Sequence, residues 1–225
     1  MAIEQQTLSR EALQALLKQP HPALEFVHCC FDRQDLSNLD LHGAQFTECS
    51  FLQTSCAGAD LTDTCWQACK GGGAHWRYAD LTDASFSGCD LNNTDWSGAK
   101  LTSATFCEVK LTGACFHQTH SLGLTFRDSL LVAADLRGIS FRKQTIEGLN
   151  LAEADLSGCD FRQTRFEGGS LRNAHLQNAR FAGADLRSVD LGGLKIGDAV
   201  QYFKGATLSA EQAALLLGEL GIHVA

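Results

Sequence analysis

Proline is almost missing from this chain: of 225 residues only Pro20 and Pro22 are proline, both near the N-terminus. Also missing is any apolar run approaching the roughly 18 residues of a membrane span, so a membrane-spanning helix or a membrane partner is not expected. The opening Met-Ala-Ile-Glu-Gln-Gln has neither a basic n-region nor an apolar h-region, and a secretory leader is therefore not expected. Clustered Lys and Arg are lacking too, and the formal net charge is −8. Direct nucleic-acid binding is not expected from such a balance, because phosphate contacts need a basic footprint. An acidic surface suits solubility or a basic partner groove. No Gly-X-Gly-X-X-Gly or P-loop is present, and no Ser-His-Asp or Cys-His set can be assembled. The histidines show no metal-ligand spacing. The expectations are no enzyme, no catalytic residues, no metal and no cofactor. The ten cysteines, read in a chain without a leader, point to reduced thiols and a cytoplasmic location.

What is present is a period of five. From Phe26 to Ile196, every fifth residue makes 35 positions that hold 15 Leu, 12 Phe, three Trp and two Ile. Only Cys56, Gly71 and Ser121 depart from this set. Two residues before each large one, small residues dominate, with 13 Ala, five Cys and five Thr. The residue between them is polar, commonly Asp, and two mostly polar residues follow. Alternation of the small and the large residue is strand-like and turns both inward, after which the chain must bend before the next pair. Neither 3.6 nor 2.0 gives such a period.

Like residues also recur at 20. Cys29, Cys49, Cys69 and Cys89 form one such series, and Asp40, Asp60 and Asp80 another. Twenty is four fives, so the pattern predicts coils of four short sides stacked at about 4.8 Å. The inward cysteines read as small apolar fillers of a narrow core, since a linear stack does not converge on a metal. Cys30, Cys65 and Cys115 are expected to face outward. Lys70-Gly71-Gly72-Gly73 reads as a bulged or loop-like segment, and His120-Ser121-Leu122-Gly123 as a second weak spot.

The word Ala-Asp-Leu-Thr-Asp, at 59–63 and 79–83, resembles the pentapeptide-repeat family. That resemblance implies a right-handed quadrilateral β-helix, an all-β solenoid, here of about nine coils. Solenoid ends need caps. Residues 8–18 predict an N-terminal capping helix, with Ser9 as N-cap, Leu8 and Leu13 as a staple and Pro20 as the stop. Thr207-Leu208-Ser209 echoes Thr7-Leu8-Ser9, and Ser209 with Gln212 has capping-box spacing. Leu208, Ala213, Leu216, Leu217, Leu220 and Ile222 are the candidate dimer interface. Gly221 ends that helix, with Ile222 and Val224 alternating beyond it. The expected organisation is a cap and linker over 1–22, the β-helix over 23–197, and a C-terminal helix and tail over 198–225.

The leucine-rich ending followed by Gly-Ile-X-Val resembles the topoisomerase-protecting branch of the family, which gives resistance to quinolones, albicidin and microcin B17. The resemblance implies a homodimer joined at the C-terminal end that mimics DNA. The partner it implies is DNA gyrase or topoisomerase IV. Many members of that branch interrupt the repeat with two loops, whereas here the phase never breaks. The candidate partner-binding surface is acidic: Asp40, Asp60 and Asp80 in one slot, with Asp63 and Asp83 in a second slot on the same side. Charge is uneven, with 12 acids and 5 bases over 23–110 and 9 acids and 10 bases over 111–197. A structural scaffold or interaction rod for an unrelated partner stays open beside the DNA-mimic reading.

Overall fold

The computed structural model describes residues 2–18, 24–218 and 220–223. It divides into two compact units, Met1–Leu130 and Leu131–Ala225, each a β-solenoid. In the first unit the strands are β1 (Ala2–Glu4), β2 (Glu25–Val27), β3 (Gln45–Thr47), β4 (Cys65–Gln67), β5 (Ser85–Ser87), β6 (Thr105–Cys107) and β7 (Thr125–Arg127). Each pairs in parallel with the next. From β2 onward the register advances by one coil per strand, so Phe26 faces Phe46, Phe46 faces Trp66 and Trp66 faces Phe86. The bridges Asp35–Ser55, Asp40–Asp60 and Ser50–Lys70 stack the other three sides in the same register. The second unit has β8 (Thr145–Glu147) and β9 (Arg165–Glu167), paired in parallel, with bridges such as Asp155–His175 on the remaining sides.

The inward residues form stacks. Phe26 and Phe46 lie 5.2 Å apart and nearly parallel, Phe46 and Trp66 4.1 Å, and Phe86 and Phe106 4.7 Å. Phe26 and Phe31 of neighbouring sides meet edge-on, as do Trp66 and Trp76 of opposite sides. Offset and edge contacts of this kind are each worth about 0.5–1.5 kcal/mol beyond area burial.

Three sides of a coil turn by one device, a bond from the next small residue back to the large one. Ala44 N donates to Leu41 O at 3.0 Å, and Ala59 N to Cys56 O at 3.1 Å. The residue before the donor is left-handed; Gly43 has φ +66°, while Gln53 at +55° and Asp63 at +56° accept the same strain. On the strand side, among the described residues, that backbone bond closes the turn only at Leu186, where Val189 N donates to Leu186 O at 3.2 Å, and the cysteine series supplies partners in the first unit. Cys49 Sγ accepts from Cys29 N at 3.4 Å and donates to Phe26 O at 3.4 Å. Cys89 Sγ accepts from Cys69 N at 3.3 Å. Ser129 Oγ takes the same role toward Val109 N at 3.0 Å. The thiols thus serve as hydrogen-bonding groups as well as small fillers. Burial pushes the Cys159 thiol up to about 12, which keeps it a protonated donor, here to Leu136 O.

Helices close the ends. α1 (Arg10–Leu17) is capped by Ser9, whose Oγ accepts from Ala12 N at 3.3 Å. Leu8 and Leu13 are both buried beneath it. Arg10 donates to the carbonyls of Asp35 and Ser37. Pro20, the expected stop, lies outside the described residues. In the second unit α2 (Ile196–Tyr202) precedes α3 (Ala210–Gly218). The box at α3 is closed, with Ser209 N donating to Gln212 Oε1 at 2.8 Å and Gln212 N to Ser209 Oγ at 3.1 Å. Gln212 Nε2 also donates to Leu186 O and Val189 O. Arg10 and Gln212 therefore do one task, satisfying carbonyls of the terminal coils.

Two expectations are corrected. Gly71 keeps the ordinary turn, with Ala74 N bonded to Gly71 O at 3.0 Å and Lys70 bridged to Ser50 and Asp90. There is no bulge. A side chain at Gly71 would meet Leu91 Cδ2 at 2.8 Å, and Trp66 and Trp76 of the same coil meet each other with ring centroids 5.0 Å apart. His120–Gly123 is likewise a regular turn bridged to Lys100, although Ser121 is only half-buried. Ile196 is no repeat position but the first residue of α2, a helix the period of five had hidden. Because α2 adds two residues, Phe203 returns to the inward stack, 4.8 Å from Phe181. It is the thirteenth phenylalanine, the one out of phase in the sequence. Ile222 follows a turn in no strand, and Val224 lies outside the described residues.

Candidate functional site

The acidic residues of the first unit occupy one side of the solenoid. Asp40, Asp60 and Asp80 bridge one another in succession, and Lys100 follows Asp80. An aspartate directly before the large inward residue stands at the start of a turn, where its carboxylate meets the amide two residues on. Asp40 Oδ1 accepts from His42 N at 3.1 Å. Asp60 Oδ1 accepts from Thr62 N at 3.1 Å and Thr62 Oγ1 at 2.7 Å. Asp80 Oδ1 takes the equivalent pair from Thr82. In each, Oδ1 serves the turn; Oδ2 is left to face outward on the exposed Asp40 and Asp60 and accepts from Lys100 Nζ on Asp80. The local bond and the outward charge coexist, since they use different oxygens.

Asp80 differs from the other two. Burial works to raise its pKa, but the bond from Lys100 Nζ at 2.8 Å and those from Thr82 outweigh burial and hold the carboxyl below its ordinary value. Asp63 and Asp83 lie at left-handed turn positions on the same side and are exposed. Asp63 Oδ2 has His42 Nδ1 at 3.7 Å. All five predicted carboxylates are thus brought together, with Lys100 bounding the column. The sequence reading missed Lys100 as a member of that column, though it is the next residue in the series of 20.

The predicted apolar residues at the C-terminal end lie on or beside α3. Leu208, Ala213, Leu216 and Leu217 are half-buried, while Leu220 and Ile222 are exposed. No residue of α3 is fully buried. Two strongly exposed neighbours were missed, Leu215 at 76% and Val200 at 77%. A groove beside α3 is lined by Val189, Leu194, Leu215 and Leu216, with Arg172 and Arg187 on its rim.

Of the cysteines predicted outward, Cys65 is exposed and Cys30 and Cys115 are half-buried. Among the described residues no group of three or more His, Cys, Asp or Glu is placed to hold a metal. No helix of the described residues is long and apolar enough to cross a membrane.

Comparison with known proteins follows the same lines. The family model "Pentapeptide repeat region" matches residues 39–116. The model "Pentapeptide repeats (8 copies)" matches 125–163 and 154–193. No curated protein matches the chain. Among solved structures, full-length QnrB1, a plasmid-mediated fluoroquinolone resistance protein, is similar with TM-score 0.67 and 21% identity over 98% of this chain and 97% of that one. HetL, involved in heterocyst differentiation regulation in the cyanobacterium Nostoc sp. strain PCC 7120, matches with TM-score 0.33 and 20% identity over 84% of this chain and 86% of that one. A thylakoid-lumen protein of Arabidopsis thaliana gives TM-score 0.30 and 23% identity over 56% of this chain and 71% of that one.

Proposed function

The chain belongs to the pentapeptide-repeat family, and from that premise we propose that it is a non-enzymatic, DNA-mimicking interaction protein for a type II topoisomerase, DNA gyrase or topoisomerase IV. The observation that carries the reading is the column of Asp40, Asp60 and Asp80, each with one carboxylate oxygen fixed by its own turn, the other facing outward on Asp40 and Asp60. Oδ1 is immobilised by the backbone, so the charge stands at a set position without the entropy loss of ordering a free side chain. Repeated at about 4.8 Å, such charges stand in for phosphates on a basic DNA-binding saddle. The likeness of fold to a fluoroquinolone resistance protein supports the same partner class. Occupying the saddle would inhibit the free enzyme or displace a poison from it. The apolar residues of α3 join two copies in this reading, and the protein acts in the cytoplasm.

The test is gyrase supercoiling with added protein, with and without a quinolone. Inhibition or rescue at low micromolar protein, weakened at least tenfold by Asp60→Asn with Asp63→Asn, is the expected result. Unchanged supercoiling across that range overturns the reading. One observation favours a scaffold for an unrelated partner: Lys100 already neutralises Asp80, so the acidic column is shorter than the sequence implied.

A further inference from the structure

The second unit presents the opposite charge at the same phase of its coils. Ser140, Asp160 and Arg180 bridge in succession there. Arg142 and Lys143 follow Phe141 on this side, Arg162 follows Phe161, and Lys204 follows Phe203. The α2 insertion brings Lys204 in, since Gly183 N bonds to Gly205 O at 2.8 Å. Asp160 is the one carboxylate of the side and is buried. Arg162 grips it with two bonds at 2.8 and 2.7 Å, and Arg180 adds a third at 3.3 Å. The bonds from Arg162 hold the carboxyl down to about 2, so it stays ionised and spent on its arginines. Arg142, Lys143 and Lys204 are exposed, and their side chains have no hydrogen-bond or ion-pair partner among the described residues. Five cations against one anion leave the side at +4. In the first unit the same phase holds Asp40, Asp60, Asp63, Asp80 and Asp83 against Lys100, which is −4.

We infer that the cationic side of the second unit is a docking surface for a second copy of this chain, whose acidic side it receives. The two sides carry equal and opposite charge, and both repeat at the coil spacing of about 4.8 Å, so charges on one meet charges on the other without adjusting either backbone. Nucleic acid offers a poorer occupant, because the chain as a whole carries −8 and the side could neutralise only a few phosphates. The contact uses the acidic side of one copy and the cationic side of the other, so the first still has its cationic side to offer and the second its acidic side. It either closes reciprocally between two copies or continues into a chain. Exposed ion pairs of this kind are weak singly and screened by salt, so the association is concentration-dependent and strongest at low ionic strength. It occupies the surface offered to the topoisomerase above, but it needs only the charges and not that function.

The experiment is sedimentation velocity of the full chain without any topoisomerase, from about 1 to 100 μM in about 0.03 M and 0.5 M salt, a range that spans strong and weak screening. Association at the C-terminal end would survive in high salt and sets the baseline. The expected result is further association at low salt, weakened at least tenfold by Arg142→Glu with Lys143→Glu. These side chains have no partner to lose, so the fold is unaffected. Asp60→Lys with Asp63→Lys gives the same loss, and mixing the two reversed proteins restores association. Absence of a salt-sensitive step in the wild type, or reversed proteins that associate as the wild type does, overturns the inference. So does a wild type that stays one size at low salt yet retards duplex DNA through Arg142 and Lys143, which would assign the side to a polyanion.

Discussion

In Met1–Leu130 the small inward position beside the strands holds Cys29, Cys49, Cys69 and Cys89. In Leu131–Ala225 the same phase holds Leu149, Gly169 and Val189. Both series sit after a turn without its backbone bond, except Val189, whose N donates to Leu186 O at 3.2 Å. In the first unit a sulfur one coil on receives the stranded amide. In the second unit Ser188, one residue out of that phase, takes over, accepting from Gly168 N at 3.0 Å and donating to Phe166 O at 2.6 Å. Gly168 and Gly169 are then both left-handed, at φ +79° and +83°. At Cys29, Cys69, Val109 and Gly168 the amide at the open turn is met by a side chain one coil on, and the residue that supplies it is exchangeable. The units also treat charge differently. Asp135, Asp160 and Asp185 of the second unit are each gripped in two bonds by the arginine two residues on, whereas Asp40 and Asp60 of the first serve only their turns.

The largest expected effect separates the two glycines. A Cβ on Gly169 would overlap the Leu149 carbonyl oxygen, while one on Gly168 meets nothing within 4 Å. Gly169→Ala should lose about 3 kcal/mol or more in urea unfolding and Gly168→Ala about 1, the latter being left-handed strain alone. Equal losses would mean that the backbone there is not held by Leu149.

Next comes the cysteine series. Cys89→Ala removes the acceptor of Cys69 N and the donor to Trp66 O and should destabilise by about 1–2 kcal/mol, while Cys89→Ser should cost less because Ser129 already fills the role. If alanine and serine behave alike, the thiols are only fillers.

The arginine grip is tested by pH. The Asp160 carboxyl is depressed to about 2, so its contribution is complete above the unfolded value near 4 and is lost as pH falls through the folded one. Arg162→Gln should lower stability by about 1 kcal/mol at neutral pH, with the gap from the wild type closing between about pH 4 and pH 2. A gap that stays constant on acidification would locate the effect in packing of the arginine stem.

The smallest effect is a gain. Trp66 Nε1 and Trp96 Nε1 donate to Thr64 and Thr94 at 2.9 and 2.8 Å, but Trp76 Nε1 is buried without a partner among the described residues, because Ala74 stands where those threonines do. Ala74→Thr should stabilise by about 1 kcal/mol. Thermal unfolding no higher than that of the wild type would show that the hydroxyl does not fit between Thr54 and Thr94.

Sequence alone determined the solenoid in each unit, its four sides and its inward residues. A period of five with a partner at 20 leaves large and small side chains one place to go, and stacking repeats it. The five carboxylates were legible as one side for the same reason, since equal phase means equal side. Tertiary structure decided whatever depends on the next coil. Asp80 is bound by Lys100 because the coils stack, and the cysteines bond amides that no local rule marks as unpaired. The space beside Gly71 is taken by Leu91 of the next coil. At α2 the helical residues had been read at the period of five, and only the return of Phe203 to the stack two residues late reveals the insertion. A periodic sequence fixes which side a residue faces, but hydrogen bonds and ion pairs run between coils, and those partners exist only once the coils are in register.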